Sequence, residues 1–569
     1  MVEGVANAAG EMPVQGVRTD EPAPQPTAGE TRPSGLAGWA WPTALAVAAV
    51  VLFLCYLRVA GTAPPNSDGS DQVLQAWSML HGNWLLRGWT VGDVSYYTTE
   101  LPEYIIVEKI IGFGPNVIHV GAAITYTLLV LLAALLAKGR AKGKEGVIRA
   151  LIAAGILVAP QLGHSAALLL AQPDHLGTQV PVLVIFLVLD RAPRRWYTPV
   201  AIAVLLTWVT IADRDTVFVA SLPLAMVCGI RGYRALMRRR SRRPATALWF
   251  EFSLAAAAIV SFGVSQLIVS AIKHAGGYTS LPLPTQHFVS LADIPRHVAI
   301  AVEGIFILYG AYFGGLSPGV AAAIAVVHLV GVALALWGFF LAFRHFFSAE
   351  ELIVPVVAAG IVVNLAAYIF SVIPATWFDT REIAALLPLG AVLAGRLLAG
   401  RLLAGTPARA WLRRGLAGVL TCYVLALGYA VAQPAGHDTE EPVVGWLEAH
   451  HLSTGLGTYT EANLITLDSG GRVAIRTVSW NLPRTVPRAF ESDASWYDPR
   501  LSYANFVVIN STDAKPRRQG IIIPYGDLVA LAGPPAHTYH YKTFTIWVWN
   551  HNLLGDLGSP PSAFPGNIY

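Results

Sequence analysis

The sequence contains repeated apolar runs of about 16 residues or more, many of them separated by short clusters of arginine and lysine. A run of this length can satisfy its backbone hydrogen bonds in lipid only as a helix. Hydrophobic residues make up 54% of the chain and charged residues only 13%, which is typical of a membrane protein. The sequence therefore predicts a mostly α fold, a polytopic transmembrane helical bundle of about eleven spans.

The basic clusters predict the orientation, because lysine and arginine are enriched in cytoplasmic loops. The second apolar run ends in KGRAKGK, which we expect inside, so the loop at residues 59–116 is expected outside. An abundance of Ala, Arg, Gly and Leu with little Lys indicates a GC-rich bacterial genome. We therefore expect a multi-pass protein of the bacterial plasma membrane with a cytoplasmic N-terminus. The net charge of +4 gives no reason to expect nucleic acid as a partner.

Three regions follow from these patterns. Residues 1–36 are polar and rich in Pro, Gly and Glu, which predicts a disordered cytoplasmic tail. Residues 37–433 form the predicted transmembrane domain. Residues 434–569 alternate strand-like runs (VAIRTV, FVVIN and YKTFTIWVW) with Gly/Pro turns and a helix-like PVVGWLEAHHL, which predicts a small extracytoplasmic α/β domain. The predicted spans lie near 37–58, 117–137, 147–160, 178–190, 197–212, 216–230, 247–272, 320–343, 352–372, 383–400 and 414–432, and 299–315 is interpreted as interfacial or re-entrant.

The long outer loop carries two aspartates at the start of a helical pattern, in NSDGSDQVLQAWSMLHGNW (66–84). One interpretation is a helix cap, in which Asp68 accepts from backbone amides and Asp71 favours the positive end of the helix dipole. The other is catalytic, with a carboxylate at the outer membrane surface acting as a general base. The two interpretations are compatible.

Further charged residues lie in other predicted outer loops. Asp174 and His175 follow a proline, Arg214 lies between two aspartates, and Arg381 lies in TWFDTREI. The arginines can grip a phosphate in a bidentate fork, although a local salt-bridged turn is an equal alternative for Arg214. A divalent metal could bind beside His175 with one of the loop aspartates, but a lone His-Asp pair is more often a hydrogen-bonded turn. We therefore predict no metal ligands and no required cofactor, and a divalent metal stays open.

The order of these features resembles the GT-C superfamily of membrane glycosyltransferases, in particular the branch of the protein O-mannosyltransferases and the lipid A aminoarabinose transferase. The resemblance covers roughly residues 37–400. The segments that carry it are Asp68, Met79-Leu80-His81-Gly82-Asn83-Trp84, the stretch from Tyr96 to Tyr104, Pro173-Asp174-His175, Asp213-Arg214-Asp215, and Arg381-Glu382 before Leu386-Leu387-Pro388.

This resemblance implies an enzyme that transfers a sugar from a polyprenyl-phosphate donor to a glycan, lipid or protein acceptor on the extracytoplasmic side. It implies Asp68 as the base, with Asp71 as the second catalytic carboxylate. The residues expected to contact substrate are Glu100, Glu103, Asp174, His175, Arg214 and Arg381.

Three positions depart from the family pattern. Gly69 occupies the place of a second acid, Glu100 that of a lysine, and Arg214 that of a later lysine. Two other functions therefore stay open: a transporter or flippase of lipid-linked glycans, and a non-catalytic relative that binds envelope glycans. A transporter predicts ionisable residues deep within spans, for which Glu251 and Glu303 are the main candidates.

Overall fold

A computed structural model describes residues 35–237, 245–280, 288–347, 351–403, 410–436, 441–481, 484–487, 490–510 and 525–557. The predicted disordered tail lies outside these residues, apart from its last two positions. The chain divides into two units, residues 1–48 and 49–569. The described part of the first unit is the beginning of the first helix, and the second unit holds all other elements.

The described residues are mostly helical, as predicted, because the apolar runs form long helices whose backbone bonds are internal. The helices are α1 (Gly35–Ala60), α2 (Ser67–Leu80), α3 (Glu100–Ile111), α4 (Asn116–Lys138), α5 (Gly143–Leu157), α6 (His164–Leu169), α7 (Asp174–Arg191), α8 (Tyr197–Ala212), α9 (Leu222–Met237), α10 (Ala245–His274), α11 (Ile294–Leu308), α12 (Val320–Arg344), α13 (Ile353–Phe370), α14 (Leu386–Leu403), α15 (Ala410–Val431), α16 (Glu441–Ala449), α17 (Tyr459–Asp468) and α18 (Tyr525–Ala532). A π-helical turn at Val217–Ser221 leads into α9.

Eight helical segments among the described residues are long and apolar enough to cross a membrane. All eight coincide with predicted spans. The other three predicted spans lie on α5, α7 and α8, of which α5 and α8 are shorter and α7 carries three charged residues. The segment interpreted as interfacial overlaps the 15-residue helix α11. The exact number of spans stays a prediction. The eight segments are Pro42–Ala60, Asn116–Lys138, Val217–Met237, Leu248–His274, Val320–Arg344, Ile353–Phe370, Leu386–Leu403 and Arg413–Val431.

The helices pack around one large apolar core built mainly from α4, α5, α7, α13 and α14. Small residues allow close approach where helices cross. A Cβ atom added to Gly338 of α12 would lie 2.6 Å from the backbone nitrogen of Ala394 on α14, so only glycine permits this contact.

The region after residue 440 contains the predicted strands and helix, and it forms a small α/β sheet structure. Strand β3 lies parallel to both β4 and β7, and β9 lies antiparallel between β7 and β8, in the order β5-β4-β3-β7-β9-β8. The predicted boundary at residue 434 stays a prediction. The strands of the whole chain are β1 (Trp89–Val91), β2 (Thr279–Ser280), β3 (Thr454–Gly457), β4 (Ala474–Asn481), β5 (Arg484–Pro487), β6 (Ser492–Asp493), β7 (Phe506–Asn510), β8 (His537–Tyr541) and β9 (Phe544–Val548).

A second, three-stranded sheet joins the loop at residues 59–116 to the C-terminal region. Strand β1 of the loop pairs in parallel with β2 and antiparallel with β6. Helix α17 also packs against α2, and the Ser67 hydroxyl donates to the carbonyl oxygen of Thr460 at 3.0 Å. The C-terminal region therefore lies directly against the helix that carries Asp68.

Candidate active site

Asp68 lies in the first turn of helix α2 but does not cap it, because another residue occupies the N-cap position. The N-cap is Asn66, whose side-chain oxygen accepts from the backbone nitrogen of Gly69 at 2.8 Å. The cap interpretation of Asp68 was therefore wrong: Asn66 occupies the N-cap two residues earlier, which leaves the Asp68 carboxylate available for tertiary contacts.

The Asp68 carboxylate is joined to Asp174 through one arginine. Nη1 of Arg381 donates to Asp68 at 2.8 Å and to Asp174 at 3.0 Å. The side chains of Arg381 and Asp68 are 26% and 25% exposed, whereas that of Asp174 is 7% exposed. Three segments that lie more than 100 residues apart in sequence thus meet at a partly accessible ion pair. The structure brings together three of the predicted site residues.

The C-terminal region supplies a second partner to Asp68. The Tyr459 hydroxyl, at the start of α17, lies 2.8 Å from Oδ1 of Asp68 and also hydrogen-bonds to Glu491. Burial raises the pKa of Glu491 well above its usual range, and the nearby charges of Asp71 and Asp68 act in the same direction. Burial and these neighbours therefore disfavour the ionised form of Glu491.

Asp174 is the most firmly held carboxylate of this group. It accepts from Gln172 at 2.9 Å and from the Tyr96 hydroxyl, besides Arg381. Burial alone raises the pKa of Asp174, but Arg381 and His175 outweigh it and lower that pKa to about 2. Asp174 thus stays ionised and fixes the position of the Arg381 guanidinium.

His175, next to Asp174, points into a separate acidic cluster. Its Nε2 lies 3.0 Å from Glu382 Oε1 and its Nδ1 lies 3.4 Å from Asp213 Oδ2. Asp215 belongs to the same cluster, and its side chain also contacts Glu382. The two aspartates beside Arg214 therefore face His175. Neither of them forms the predicted local salt bridge with Arg214 among the described residues.

The other predicted acids are more deeply placed. Asp71 is fully buried and accepts a hydrogen bond from Gln75. Burial raises the pKa of Asp71 well above its usual range, against the hydrogen bond from Gln75 that lowers it. Glu100 is 1% exposed and bonded to Thr99. Glu103 is partly buried, and its Oε2 accepts from the Thr125 hydroxyl at 3.1 Å. None of these three acids contacts Arg381 within the described residues.

Arg214 lies near the cluster but has a different partner. Its Nη2 donates to the Ser280 hydroxyl at 3.1 Å, and Arg214 forms no ion pair among the residues that the structure describes. The two acids of the transporter alternative are each bonded as well. Glu251 accepts from Arg231 at 3.2 Å, and Glu303 accepts from the Tyr312 hydroxyl at 2.7 Å.

Several residues of this site were missed from the sequence. Tyr459 lies in the segment GLGTYTEAN of the predicted C-terminal domain but was not itself selected as a site residue, and nothing in the sequence around Glu491 points to a site. The sequence did offer a signal for Glu382, because this residue directly follows the predicted site residue Arg381. Because these residues join segments far apart in the chain, their roles depend on tertiary contacts.

No protein-family model matches the chain, and no curated protein matches it in sequence. Solved structures are similar over most of its length. ArnT from Cupriavidus metallidurans aligns with 90% of this chain and 98% of its own, in the apo state at 12% identity with a TM-score of 0.48, and bound to undecaprenyl phosphate at 11% identity with a TM-score of 0.47.

An archaeal protein shows the same kind of similarity. The oligosaccharyltransferase AglB from Archaeoglobus fulgidus, in complex with an inhibitory peptide and a dolichol-phosphate, aligns with 84% of this chain and 70% of its own. The identity is 12% and the TM-score is 0.42. Both neighbours are GT-C glycosyltransferases.

Proposed function

We propose that this protein is an integral membrane glycosyltransferase that moves a sugar from a polyprenyl-phosphate donor to an acceptor on the extracytoplasmic side. The observation that carries the proposal is the partly exposed Asp68–Arg381 pair, in which a carboxylate and a guanidinium lie 2.8 Å apart. The pair supplies one group that accepts a proton and one that binds phosphate, which are the two groups this reaction needs.

Arg381 is the proposed phosphate ligand. Its Nη1 is engaged by two carboxylates, but its Nε is buried and has no hydrogen-bond partner among the described residues. A buried N–H without an acceptor costs free energy, and a phosphate oxygen of the donor would satisfy it. Arg214, whose described contact is to a neutral hydroxyl, is the proposed second cation.

Asp68 is the proposed general base. The acceptor hydroxyl oxygen would form a bond to the anomeric carbon, while the bond between that carbon and the phosphate oxygen breaks. The polyprenyl phosphate leaves with the bonding electrons, and the hydroxyl proton passes to Asp68. Tyr459 and Arg381 would hold Asp68 in position during this step.

The buried acids have supporting roles in this proposal. Asp174 would hold Arg381, and His175 would orient Glu382. Asp71 was predicted as a second catalytic carboxylate, and Glu100 and Glu103 as substrate contacts. Their burial and local hydrogen bonds favour a role in packing helices α2 and α3.

The test is a transfer assay with purified protein in liposomes and a panel of radiolabelled polyprenyl-phosphate sugars. We expect Asp68→Asn to lower turnover by about 100-fold or more, because it removes the base while keeping the side chain's shape. Arg381→Lys keeps the positive charge but loses the planar guanidinium that can bind phosphate through two hydrogen bonds. We therefore expect about a tenfold higher KM for the donor.

The control is Asp293→Asn, which removes an exposed carboxylate outside the site. It should transfer sugar like wild type, and all variants should elute as single species from gel filtration. A wild-type protein that moves labelled lipid across the bilayer without transferring sugar would favour the transporter. Full activity of a folded Asp68→Asn protein would exclude Asp68 as the base.

A further inference from the structure

Glu491 is a buried carboxyl of the C-terminal region to which the sugar transfer proposed above gives no role. It hydrogen-bonds to the Tyr459 hydroxyl, and the same hydroxyl lies 2.8 Å from Oδ1 of Asp68. We propose that Glu491 is a positioning residue of this transfer: as a neutral acid it donates a hydrogen bond to the Tyr459 oxygen, and it thereby directs the one hydroxyl proton of Tyr459 to Asp68. The inference rests on the proposed function, in which Asp68 is the base.

The hydrogen-bond count at the Tyr459 hydroxyl supports this role. A phenol hydroxyl carries one proton, so it donates one hydrogen bond, while its oxygen can accept another. An ionised carboxylate can only accept. Two ionised carboxylates at one hydroxyl would therefore leave one of them facing a lone pair. The arrangement is favourable only if one of the two carboxyl groups carries a proton.

The surroundings of the two carboxyl groups assign this proton to Glu491. Asp68 accepts from Arg381 at 2.8 Å and its side chain is 25% exposed, both of which favour its ionised form. Glu491 is 9% exposed and forms no ion pair in the part of the chain that the structure describes. A buried carboxyl without a cation favours its neutral form.

Groups on three other elements also act on Glu491. Burial raises the pKa of Glu491 well above its usual range, and the charges of Asp71 and Asp68 on α2 raise it further. Tyr459 on α17 and Arg381, which precedes α14, lower this pKa but do not outweigh burial. The electrostatics of the site therefore agree with the hydrogen-bond count.

The backbone at Glu491 is an independent observation. Its φ is 52°, in the left-handed region that residues with a side chain rarely adopt. The carboxyl also packs against the loop after β1, where a Cβ added to Gly92 would lie 3.1 Å from Oε1 of Glu491. The acidic residue of that loop, Asp93, interacts electrostatically with Glu382 and His175. Strained backbone of this kind is concentrated at functional sites, where other contacts hold a side chain in place.

This role makes turnover depend on the charge of Glu491. While Glu491 keeps its proton, the Tyr459 hydroxyl is directed to Asp68. Once Glu491 ionises at higher pH, the two carboxylates compete for the one hydroxyl proton, and Asp68 loses its donor for part of the time. Turnover should therefore fall on the alkaline side. Glutamine keeps an N–H donor at every pH, so Glu491→Gln should lack this fall.

The test is the transfer assay with full-length protein in liposomes, run across the pH range in which the protein stays folded. At pH 7 we expect Glu491→Gln to keep turnover within about threefold of wild type, and Glu491→Ala to lower it by about tenfold with an unchanged KM for the donor. Because Glu491 acts through Tyr459, Glu491→Ala should not lower the turnover of Tyr459→Phe any further. The matched control is Glu448→Gln, which alters an exposed ion pair with Arg472 and should follow wild type at every pH.

A second measurement does not depend on turnover. The infrared difference between wild type and Glu491→Gln at pH 7 should contain the C=O stretching band of a protonated carboxyl, and the difference between wild type and Glu448→Gln should not. The inference fails if this band is missing, if Glu491→Gln shows the alkaline fall of wild type, or if the losses of Glu491→Ala and Tyr459→Phe add in full. A wild-type protein that transfers no sugar at any pH would overturn the proposed function and with it this role of Glu491, so the wild type alone distinguishes the two failures.

Discussion

The Tyr459 hydroxyl donates a hydrogen bond to Asp68 across 391 positions of sequence, at a distance of 2.8 Å. The first loop and the C-terminal region thus contribute to one site. A hydrogen bond to a charged group contributes about 1.5–3 kcal/mol, which is enough to affect the position and reactivity of the proposed base.

Replacing Tyr459 with Phe should lower turnover by about tenfold with little change in KM, since it removes a bond to the base and not to the donor. Steady-state kinetics in liposomes measure both constants. Tyr503→Phe, an exposed tyrosine in the same region, is the control and should behave like wild type. Equal turnover in the Tyr459→Phe and Tyr503→Phe proteins would rule out a contribution of Tyr459.

Replacing Asp71 with Asn should leave activity within about threefold of wild type, in contrast to Asp68→Asn. Burial raises the pKa of Asp71 well above its usual range, which makes this carboxyl a poor general base, and Asn keeps an oxygen that can accept from Gln75. The measurement is transfer activity at pH 7 beside the melting temperature. A loss as large as that of Asp68→Asn would restore Asp71 as a second catalytic carboxylate.

Glu103 should make the folded state less stable as the pH rises. Burial raises the pKa of Glu103 from 4.5 to about 7, against the Thr125 hydrogen bond that lowers it. Between pH 4.5 and pH 7 the folded state keeps a proton on Glu103 that the unfolded state has lost. This difference lowers the stability by about 3 kcal/mol at pH 7. The contribution of Glu103 to the free energy of unfolding should be most favourable below pH 4.5 and should decrease as the pH rises to 7.

Replacing Glu103 with Gln tests this dependence, because the variant has no titrating group there. We expect its melting temperature to exceed that of wild type at pH 8 and to approach it at pH 5, measured in detergent by scanning fluorimetry. A difference between the two proteins that is constant from pH 5 to 8 would contradict the raised pKa.

Replacing Gly177 with Ala should destabilise the fold by about 1–3 kcal/mol, because the new Cβ would overpack a buried site. That Cβ would lie 2.2 Å from Oε1 of Glu100. Gly229→Ala is the control, since a Cβ there meets nothing within 4 Å and alanine favours the helix. Equal melting temperatures of the two variants would mean that Glu100 can move away freely.

Much of this architecture could be predicted from the sequence, because apolar runs and strand alternation are local patterns. The predicted strand FVVIN is β7, and the helical pattern predicted within residues 66–84 is α2, Ser67–Leu80. The cap was wrong because Asn66 and Asp68 are both good cap residues, and the choice between them depends on where the first turn begins.

The site was predicted as separate residues and not as an assembly. Asp68, Asp174 and Arg381 were each selected from loops that the predicted topology places on one side, but their shared contact depends on how the helices pack. Asp213 and Asp215 were interpreted with the adjacent Arg214, whereas the fold turns both towards His175. Sequence proximity favoured the nearest opposite charge, and burial beside His175 decided the actual partner.

The bond between Tyr459 and Asp68 also has a consequence for how the protein is made. Chains emerge from the ribosome N-terminus first, so Asp68 enters the membrane long before Tyr459 is synthesised. The site can be complete only after the C-terminal region has been synthesised and has folded against helix α2. A chain that ends before Tyr459 would insert its helices and yet leave Asp68 without one of its two partners, Arg381 and Tyr459.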